Sequence, residues 1–338
     1  MQSFKFRSVF SISTGAILLH MKVMITGASG FLGSWLCQVL SDYHEVEVLV
    51  RESSNVSKIS QISNLQIIRS ESLSWPNFVA KSKPDVLILN DWWGVENHYR
   101  NDSRQFENVN RLVNLAKIAE KSGVKSIVGV GSQAELGPVP TEISEATPDN
   151  PTTKYGEAKV QLRNLISEQL VGSSARFVWM RIFSTYGPLD EGSWLIPNIV
   201  DSLLKNNKMQ MTKGEQEWSY LHAFDLSMAF ATVIENLNIS GIVNVGNPET
   251  ISIHEVGTII GKILRKQDLL EFGALEYRKD QVMKMQPKCE TLTNAGWRPQ
   301  ISFDQGIKQT IDWLQRVDLS PISTQNGETL NFTLPLRP

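Results

Sequence analysis

A tyrosine and a lysine four positions apart are the side chains of this sequence best placed for proton transfer. Tyr155 and Lys159 lie in a segment that predicts a helix, where residues i and i+4 share one face. A cation beside a phenol lowers the phenol pKa from its ordinary value of about 10. Ser132, at the end of a predicted strand, is expected to hydrogen-bond the substrate oxygen that exchanges a proton with Tyr155. The three residues therefore predict proton exchange at an alcohol or ketone while a hydride moves.

The spacing of Tyr155 and Lys159 alone is common on exposed helices, so its meaning depends on a glycine motif upstream. A short apolar run, 23–25, leads into glycines spaced three apart, and an apolar helix pattern follows. Strand, glycine turn and helix in this order bind a dinucleotide pyrophosphate at the helix N-terminus. A surface loop is the alternative, but the apolar segments on both sides favour nucleotide binding. The cofactor contacts predicted from this motif are Gly27, Ser29, Gly30, Phe31, Leu32 and Gly33.

The end of the second predicted strand bears on the choice between NAD and NADP. Arg51 stands near the position where NAD-binding proteins usually carry an acidic residue for the ribose 2′-hydroxyl. A guanidinium there pairs instead with a 2′-phosphate. Glu52 follows directly, and the alternative is that Arg51 is only a solvated charge. The sequence favours NADP, with NAD as the second choice.

Alternating strands and helices predict an α/β fold, a Rossmann doubly wound parallel sheet with a smaller C-terminal α/β substrate-binding subdomain. The predicted strands are 22–26, 45–50, 65–68, 85–90, 126–131 and 176–182, and the predicted helices are 31–41, 75–82, 103–122, 153–171, 193–206 and 253–264. The predicted domains are a disordered N-terminal extension (1–20), an NAD(P)-binding domain (21–186), a mainly substrate-binding subdomain (187–317) and a tail (318–338). Within the subdomain, 225–236 and 303–317 are expected to return to the larger domain.

Composition excludes several function classes. A net charge of −2 gives no electrostatic footprint for nucleic acid. The two cysteines are far apart, and the five histidines lack ligand spacing, so neither a disulfide framework nor a metal site is predicted. No stretch approaches the roughly 20 apolar residues of a membrane span. Residues 1–20 superficially resemble a signal peptide, but serines dilute the apolar part and no small-residue cleavage site follows. We therefore expect a cytoplasmic protein.

Taken together, these motifs resemble the extended short-chain dehydrogenase/reductase family, the NAD-dependent epimerase/dehydratase group. The resemblance covers roughly residues 21–314 and includes the glycine motif, Ser132, the segment 154–159 and the segments 181–188 and 296–299. It implies that Ser132, Tyr155 and Lys159 form the catalytic set and that helices 103–122 and 153–171 build a homodimer. The further cofactor positions that the resemblance implies are Asn90, Tyr155, Lys159, Ile182 and Phe183.

The residues after Ser132 separate reactions within this family. Relatives that dehydrate a hexose carry an Asp-Glu pair directly after the hydroxyl residue, whereas this chain has Gln133 and Ala134. Glu135 comes one position later and is expected to point elsewhere. Dehydration is therefore disfavoured. The sequence is most similar to nucleotide-sugar 4-ketoreductases of the CDP-abequose synthase type.

The substrate side departs from the family pattern. Asp91 stands where small residues are usual, and Trp218 lies in a segment that usually carries an Arg-Asp pair for the substrate diphosphate. Trp92 and Trp93 are interpreted as pocket walls or as hydrophobic packing, with equal weight. The predicted substrate contacts are Trp92, Trp93, Gln133, Ala134, Ser184 and Trp218.

The favoured function is an NADP-dependent oxidoreductase that reduces a keto group of a nucleotide-linked deoxysugar, with Tyr155 as general acid. One alternative is a nucleotide-sugar epimerase that holds NAD tightly. Another is a reductase of a non-sugar carbonyl, because a tryptophan-rich pocket suits apolar substrates. A non-catalytic NADP-binding regulator is disfavoured, because both Tyr155 and Lys159 are present.

Overall fold

A seven-stranded parallel sheet forms the centre of the computed structural model, which describes residues 20–335 except 140–141, 193, 279–280, 318, 320 and 331–333. The predicted extension therefore lies outside the described residues, apart from residue 20. The described strands are β1 (Lys22–Thr26), β2 (Glu45–Val50), β3 (Leu65–Arg69), β4 (Val86–Leu89), β5 (Ser126–Ser132), β6 (Arg176–Ile182), β7 (Ser184–Tyr186), β8 (Met209–Met211), β9 (Glu217–His222), β10 (Gly241–Val245), β11 (Thr250–Ser252), β12 (Leu270–Phe272), β13 (Lys284–Met285), β14 (Ile322–Ser323) and β15 (Thr329–Leu330).

Helices cover both faces of this sheet, whose strand order is β10-β6-β5-β4-β1-β2-β3. The described α-helices are α1 (Phe31–Leu40), α2 (Trp75–Ser82), α3 (Gln105–Lys121), α4 (Lys154–Gln169), α5 (Leu195–Leu204), α6 (Ala223–Glu235), α7 (Ile253–Leu264), α8 (Glu290–Asn294) and α9 (Phe303–Leu314). Successive strand residues point to opposite faces. Val23 and Ile25 therefore pack with α1 and α6, while Met24 packs with α2, α3 and α4.

The predicted fold class is confirmed, and six of the seven strands lie where the sequence predicts them. The seventh, β10, is not among the predicted strands. It is short, and the polar residue Asn244 interrupts its apolar pattern. In the structure the Asn244 side chain is buried and donates to the carbonyl oxygens of Ile143 (3.2 Å) and Lys288 (3.1 Å). These two hydrogen bonds offset part of the cost of burying the amide, whose Oδ1 has no partner among the described residues.

The segment after β6 builds a second, smaller set of elements. Strand β9 lies between β11 and β13 and also pairs with β7. Helix α6 returns to the large sheet and packs on α1, as expected for 225–236. Helix α9 instead makes its main contacts with α5, β9 and α7, although 303–317 is expected to return to the larger domain. Among the described residues, no helix is both long enough and apolar enough to cross a lipid bilayer.

A buried carboxylate on α6 fixes the chain segment that precedes α9. Asp225 is fully buried, and its two oxygens accept hydrogen bonds from the backbone N–H groups of Gln300 (3.0 Å) and Ile301 (3.1 Å). The Trp297 indole donates to the Asp225 backbone carbonyl at 3.1 Å. One residue therefore joins α6 to the segment 297–301.

We expect Asp225→Ala to lower the free energy of unfolding by about 2–5 kcal/mol, because two buried N–H groups lose their acceptors. Urea unfolding measures this loss. Asp201→Ala, which removes an exposed i,i+4 partner of Lys205, is the matched control and should cost no more than about 0.5 kcal/mol. Equal losses in the two variants would contradict the structural role of Asp225.

Candidate active site

The glycine motif forms a turn that only glycine fits at two points. Gly27 has φ +69°, and a Cβ on it would lie 2.8 Å from the Asp91 backbone. A Cβ on Gly33 would lie 2.2 Å from the Gly27 carbonyl oxygen, so α1 could not pack against the turn. Gly30 is exposed and has no atom nearer than 3.5 Å to its Cβ position. The turn is therefore closed on the protein side and open on the side where a phosphate would approach.

The N-terminus of α1 fits the diphosphate of a dinucleotide. No side chain caps this helix, so the N–H groups of its first turn, including those of Phe31 and Leu32, have no side-chain acceptor. Such a helix end carries a partial positive charge. The Asn90 side chain donates to the Gly27 carbonyl at 3.2 Å and braces the turn from β4. Ser29 is half-buried in the same turn.

A charged cluster stands at the carboxyl ends of β2 and β4. Arg51 lies 3.6 Å from one Asp91 oxygen, and Arg111 of α3 lies 2.5 Å from the other. Thr26 also accepts the Asp91 backbone N–H at 3.1 Å, so Asp91 is held beside the glycine turn. Two guanidinium groups against one carboxylate leave this edge with an excess of positive charge. The unexpected Asp91 therefore anchors two cations here.

Tyr155 and Ser132 come together at the carboxyl end of β5. The Ser132 side chain lies close enough to the Tyr155 hydroxyl to influence its pKa, and the tyrosine is 8% exposed. Burial raises the pKa of Tyr155, and the Arg100 guanidinium and Ser132 partly oppose this shift. At neutral pH the phenol thus keeps its proton and is poised to donate it.

Lys159 contacts groups other than the phenol that its spacing predicts. Its ammonium donates to the Val130 carbonyl at 2.7 Å and lies 3.7 Å from the Trp92 ring centroid, but 5.7 Å from that of Tyr155. Lys159 is not among the groups that shift the pKa of Tyr155 here, and its predicted lowering of that pKa stays a prediction. Burial lowers the pKa of Lys159 itself to about 7, against the attraction of Glu135 and Asp91.

Glu135 is buried beneath the turn and does not face the substrate side. It accepts the Ser132 backbone N–H at 2.7 Å and the Trp179 indole N–H at 3.0 Å. Arg163 of α4 and Arg181 of β6 lie 3.2 and 3.3 Å from its other oxygen. Burial raises the pKa of Glu135, which the two arginines and the Ser132 N–H oppose. This agrees with the expectation that Glu135 points away from the reacting group.

The neighbouring helix packs tightly on this turn. A Cβ on Gly156 would lie 2.2 Å from the Ala134 carbonyl oxygen, so the residue after Tyr155 must be glycine for α4 to approach. The Ala134 N–H donates to the Ser132 hydroxyl at 3.2 Å. Gln133 is half-buried, and its Oε1 is a buried acceptor without a hydrogen-bond partner among the described residues. Gln133 is therefore suited to bind a hydroxyl or amide donor.

The two tryptophans after β4 have different surroundings. Trp92 meets the Tyr155 ring edge-on, with centroids 5.9 Å apart, and donates to Gln105 at 2.7 Å. Trp93 packs on Tyr99 and under the Arg104 guanidinium, which lies 4.3 Å from its ring. Trp92 is thus beside the reacting phenol, whereas Trp93 contacts the start of α3.

The remaining predicted residues lie along β6, β7 and β9. Ile182 pairs with Ser132 across the sheet, and the Phe183 N–H donates to the Val245 carbonyl at 3.0 Å. Ser184 is half-buried at the start of β7. Trp218 packs in a small apolar cluster with Phe183, and its indole donates to Val282 at 3.0 Å. Trp218 therefore has a packing role.

Several residues of the site have no signal in the sequence. Asp149 and Arg163 form an ion pair, and Arg181 also reaches Asp149 at 3.4 Å. These charges come from a loop, a helix and a strand that are distant in sequence. Arg100 lies beside Tyr155 for the same reason, at a position that no motif marks. Among the described residues, no cluster of histidine, cysteine and acidic side chains has the geometry of a metal site.

Comparison with known proteins assigns the family. The model of the NAD dependent epimerase/dehydratase family matches residues 23–246. The chain belongs to this family. The predicted resemblance and the prediction of a nicotinamide-dependent, oxidoreductase-type enzyme are thus confirmed.

Individual relatives of the family are distant. dTDP-D-glucose 4,6-dehydratase of Mus musculus is 22% identical over 320 residues, covering 87% of this chain and 89% of the relative. CDP-abequose synthase of Salmonella muenchen is 26% identical over 137 residues, covering 40% and 47%. The UDP-N-acetylglucosamine 4-epimerase from Methanobrevibacter ruminantium M1, solved in complex with UDP-N-acetylmuramic acid, has a TM-score of 0.80 at 19% identity, covering 88% and 98%. This structural similarity shows the shared fold.

The buried Lys159 predicts a pH-dependent stability. Its folded-state pKa of about 7 lies below the value of about 10.4 for an unfolded lysine, so the unfolded chain binds more protons between these values and stability rises with pH there. Lys159→Met removes the cost of burying a charged ammonium. The free energy of unfolding of the variant minus that of the wild type, measured by urea unfolding, should be about 2–3 kcal/mol larger at pH 6 than at pH 9. Lys117→Met, at an exposed position of α3, should show no such difference.

Proposed function

We propose that this protein reduces a keto group of a nucleotide-linked deoxysugar with NADPH, and that Tyr155 donates the proton. The observation that carries the proposal is the neutrality of the turn around Ser132. Gln133 and Ala134 are uncharged, and Glu135 is buried against Arg163 rather than facing a substrate. Elimination of water from a sugar needs an acid and a base at the substrate. Carbonyl reduction needs one proton donor, which Tyr155 provides.

Each residue of the catalytic set has a part in this reaction. Bound NADPH supplies the hydride that forms the new C–H bond. Tyr155 gives its proton to the carbonyl oxygen as that bond forms, and the product is an alcohol. Ser132 hydrogen-bonds the same oxygen and holds it beside the phenol. Lys159, directed to the end of β5, is placed to bind a ribose hydroxyl of the cofactor.

The raised pKa of Tyr155 is compatible with its proposed role as the proton donor of a reduction. Epimerisation begins with oxidation of the sugar, which requires the phenolate as base, whereas reduction requires the phenol. Burial keeps Tyr155 in the phenol form. The relatives include both a 4-epimerase and CDP-abequose synthase, so the family alone is compatible with either reaction.

The substrate class is proposed from the same surroundings. Gln133 follows Ser132 and is half-buried, with an Oε1 that has no partner among the described residues, and Trp92 lies beside Tyr155 with the Lys159 ammonium over its ring. The Arg-Asp pair usual near position 218 is absent, and Lys205 and Lys208 are engaged with Asp201 and Glu271 at the surface. The substrate diphosphate must then rely on other donors, such as Lys213 or Arg278. Dimerisation through α3 and α4, and a cytoplasmic location, stay predictions.

Tyr155→Phe tests the reaction class. The wild-type protein is incubated with NADPH and with 4-keto-6-deoxy sugars on CDP, dTDP, UDP and GDP carriers, and we expect the NADPH absorbance at 340 nm to fall with one carrier. In the Tyr155→Phe variant, kcat should be about 10²–10⁴-fold lower. Binding of NADPH, measured by thermal shift, should be little changed. NAD that stays bound through purification, together with interconversion of the C4 epimers of the corresponding hydroxy nucleotide sugars and no reduction of the keto sugars, would contradict the proposal and support an epimerase. Turnover of only apolar carbonyls would contradict the substrate class.

A substitution of Arg51 tests whether the protein prefers NADPH to NADH. We propose that Arg51 and Arg111 bind the 2′-phosphate of NADPH, with Asp91 holding both guanidinium groups in place. Arg51→Ser should weaken NADPH binding by about 10–100-fold, because a charge-assisted contact is lost, and should change NADH binding by less than about threefold. Titration calorimetry with both cofactors gives the two affinities. An equal loss of affinity for NADPH and for NADH would show that Arg51 does not bind the 2′-phosphate.

A further inference from the structure

Arg100 is the nearer of two cations that lie beside the Tyr155 ring. Its guanidinium carbon is 5.2 Å from the Tyr155 ring centroid and 5.7 Å from the Trp194 ring centroid, so it lies between α4 and the start of α5. Its Nε donates to the Val95 carbonyl at 3.4 Å. Among the described residues, no side chain or carbonyl pairs with its other two nitrogens. Arg100 is half-buried, and its guanidinium lies within cation–π distance of the phenol ring.

The backbone fixes this position independently of the side chain. The Arg100 carbonyl accepts the Tyr155 N–H at 2.8 Å, and the Asn101 side chain accepts the Lys154 N–H at 3.3 Å. These are N–H groups of the first turn of α4, which have no partner within the helix. The loop before α3 therefore caps the helix that carries the tyrosine. A change of the Arg100 side chain leaves this cap in place.

Three other charged groups lie near Tyr155. Lys159, on the same helix, donates to Val130 and faces Trp92, and its ammonium is 5.7 Å from the Tyr155 ring centroid, further than the guanidinium carbon of Arg100. Glu135, below the Ser132 turn, acts in the opposite sense and disfavours the phenolate. Asp91, at the end of β4, acts on Lys159. Ser132 is neutral.

We infer that Arg100 tunes Tyr155, stabilising the phenolate that remains after the proton has been transferred. This inference rests on the proposed reductase function only for its kinetic consequence, because the electrostatic contact exists without substrate. A guanidinium near the ring face favours the charged form of the phenol. Arg100 thereby has the role that the spacing of Tyr155 and Lys159 would assign to the lysine.

The direct test is a titration of Tyr155 that does not require turnover. For this test, the full-length protein is produced with 2,3,5-trifluorotyrosine at position 155. The phenol of this residue ionises at lower pH than that of tyrosine, and 19F NMR follows its ionisation. Arg100→Gln should raise the pKa by about one unit, a tenfold loss of phenolate at a given pH. Arg100→Lys should restore part of the shift, because it keeps the charge but not the fork geometry.

Arg104→Gln is the matched control, because Arg104 is an exposed arginine of the same loop that stacks on Trp93 and pairs with Asp102. It should leave the titration of position 155 unchanged. The inference is overturned if Arg100→Gln leaves the titration unchanged, or if Lys159→Met shifts it upward and Arg100→Gln does not.

Kinetics give a second readout on the unlabelled enzyme. In the reduction direction, Arg100→Gln should lower kcat by up to about tenfold and move the alkaline limb of kcat about one pH unit upward. A rise in KM with kcat and the pH profile unchanged would instead make Arg100 a substrate-binding residue and overturn the inference. If no sugar is turned over, the proposed function fails, and the NMR titration still decides the role of Arg100.

Discussion

Glu135 is fully buried between Ser132, Trp179 and two arginines, and the geometry of the reacting groups depends on these contacts. One oxygen holds the Ser132 N–H at the end of β5, while the other faces Arg163 of α4 and Arg181 of β6. Three elements of the catalytic turn are therefore joined through one carboxylate. Removing one partner of such a buried set leaves an uncompensated charge, at a cost of about 3–5 kcal/mol. The same contacts bury Glu135 below the Ser132 turn, which supports the proposal that Tyr155 is the proton donor.

Charge balance also explains the residues that depart from the family pattern. Asp91 is unexpected beside the glycine turn, yet it pairs with Arg51 and Arg111 at the carboxyl ends of β2 and β4. Lys159 is buried near Trp92 at a cost to stability, which is characteristic of groups kept for function rather than for folding. Arg100 lies where a cation can act on Tyr155. In the proposed function, these positive charges divide between the cofactor and the proton donor.

The sequence predicts what depends on local pattern. The period of the apolar residues predicts six strands and the helices between them, and the spacing of Gly27, Gly30 and Gly33 predicts the turn before α1. Strand β10 is missed because Asn244 breaks its apolar pattern, and its partner groups lie far away in the chain. Arg100 and Arg163 are missed for a related reason. Contacts between side chains from distant segments leave no periodicity, and charged residues of this type are usually solvated.

The spacing of Tyr155 and Lys159 shows the limit of a local rule. Residues i and i+4 share a helical face, but the side chains need not interact. In this structure the Val130 carbonyl and the Trp92 ring hold the lysine, and burial rather than a neighbouring ammonium dominates the tyrosine pKa. Only the packing of β4 and β5 around α4 decides which contact forms.

The most direct measurement follows the hydride. The protein is incubated with NADPH carrying deuterium at the transferable C4 position and with a 4-keto nucleotide sugar, and NMR locates the deuterium. A reductase that uses Tyr155 as proton donor places one deuterium on the former carbonyl carbon and forms one NADP⁺ per alcohol. A keto sugar that stays unreduced, together with interconversion of the C4 epimers of the corresponding nucleotide sugar in a parallel incubation without net oxidation of NADPH, would contradict this function and identify an epimerase.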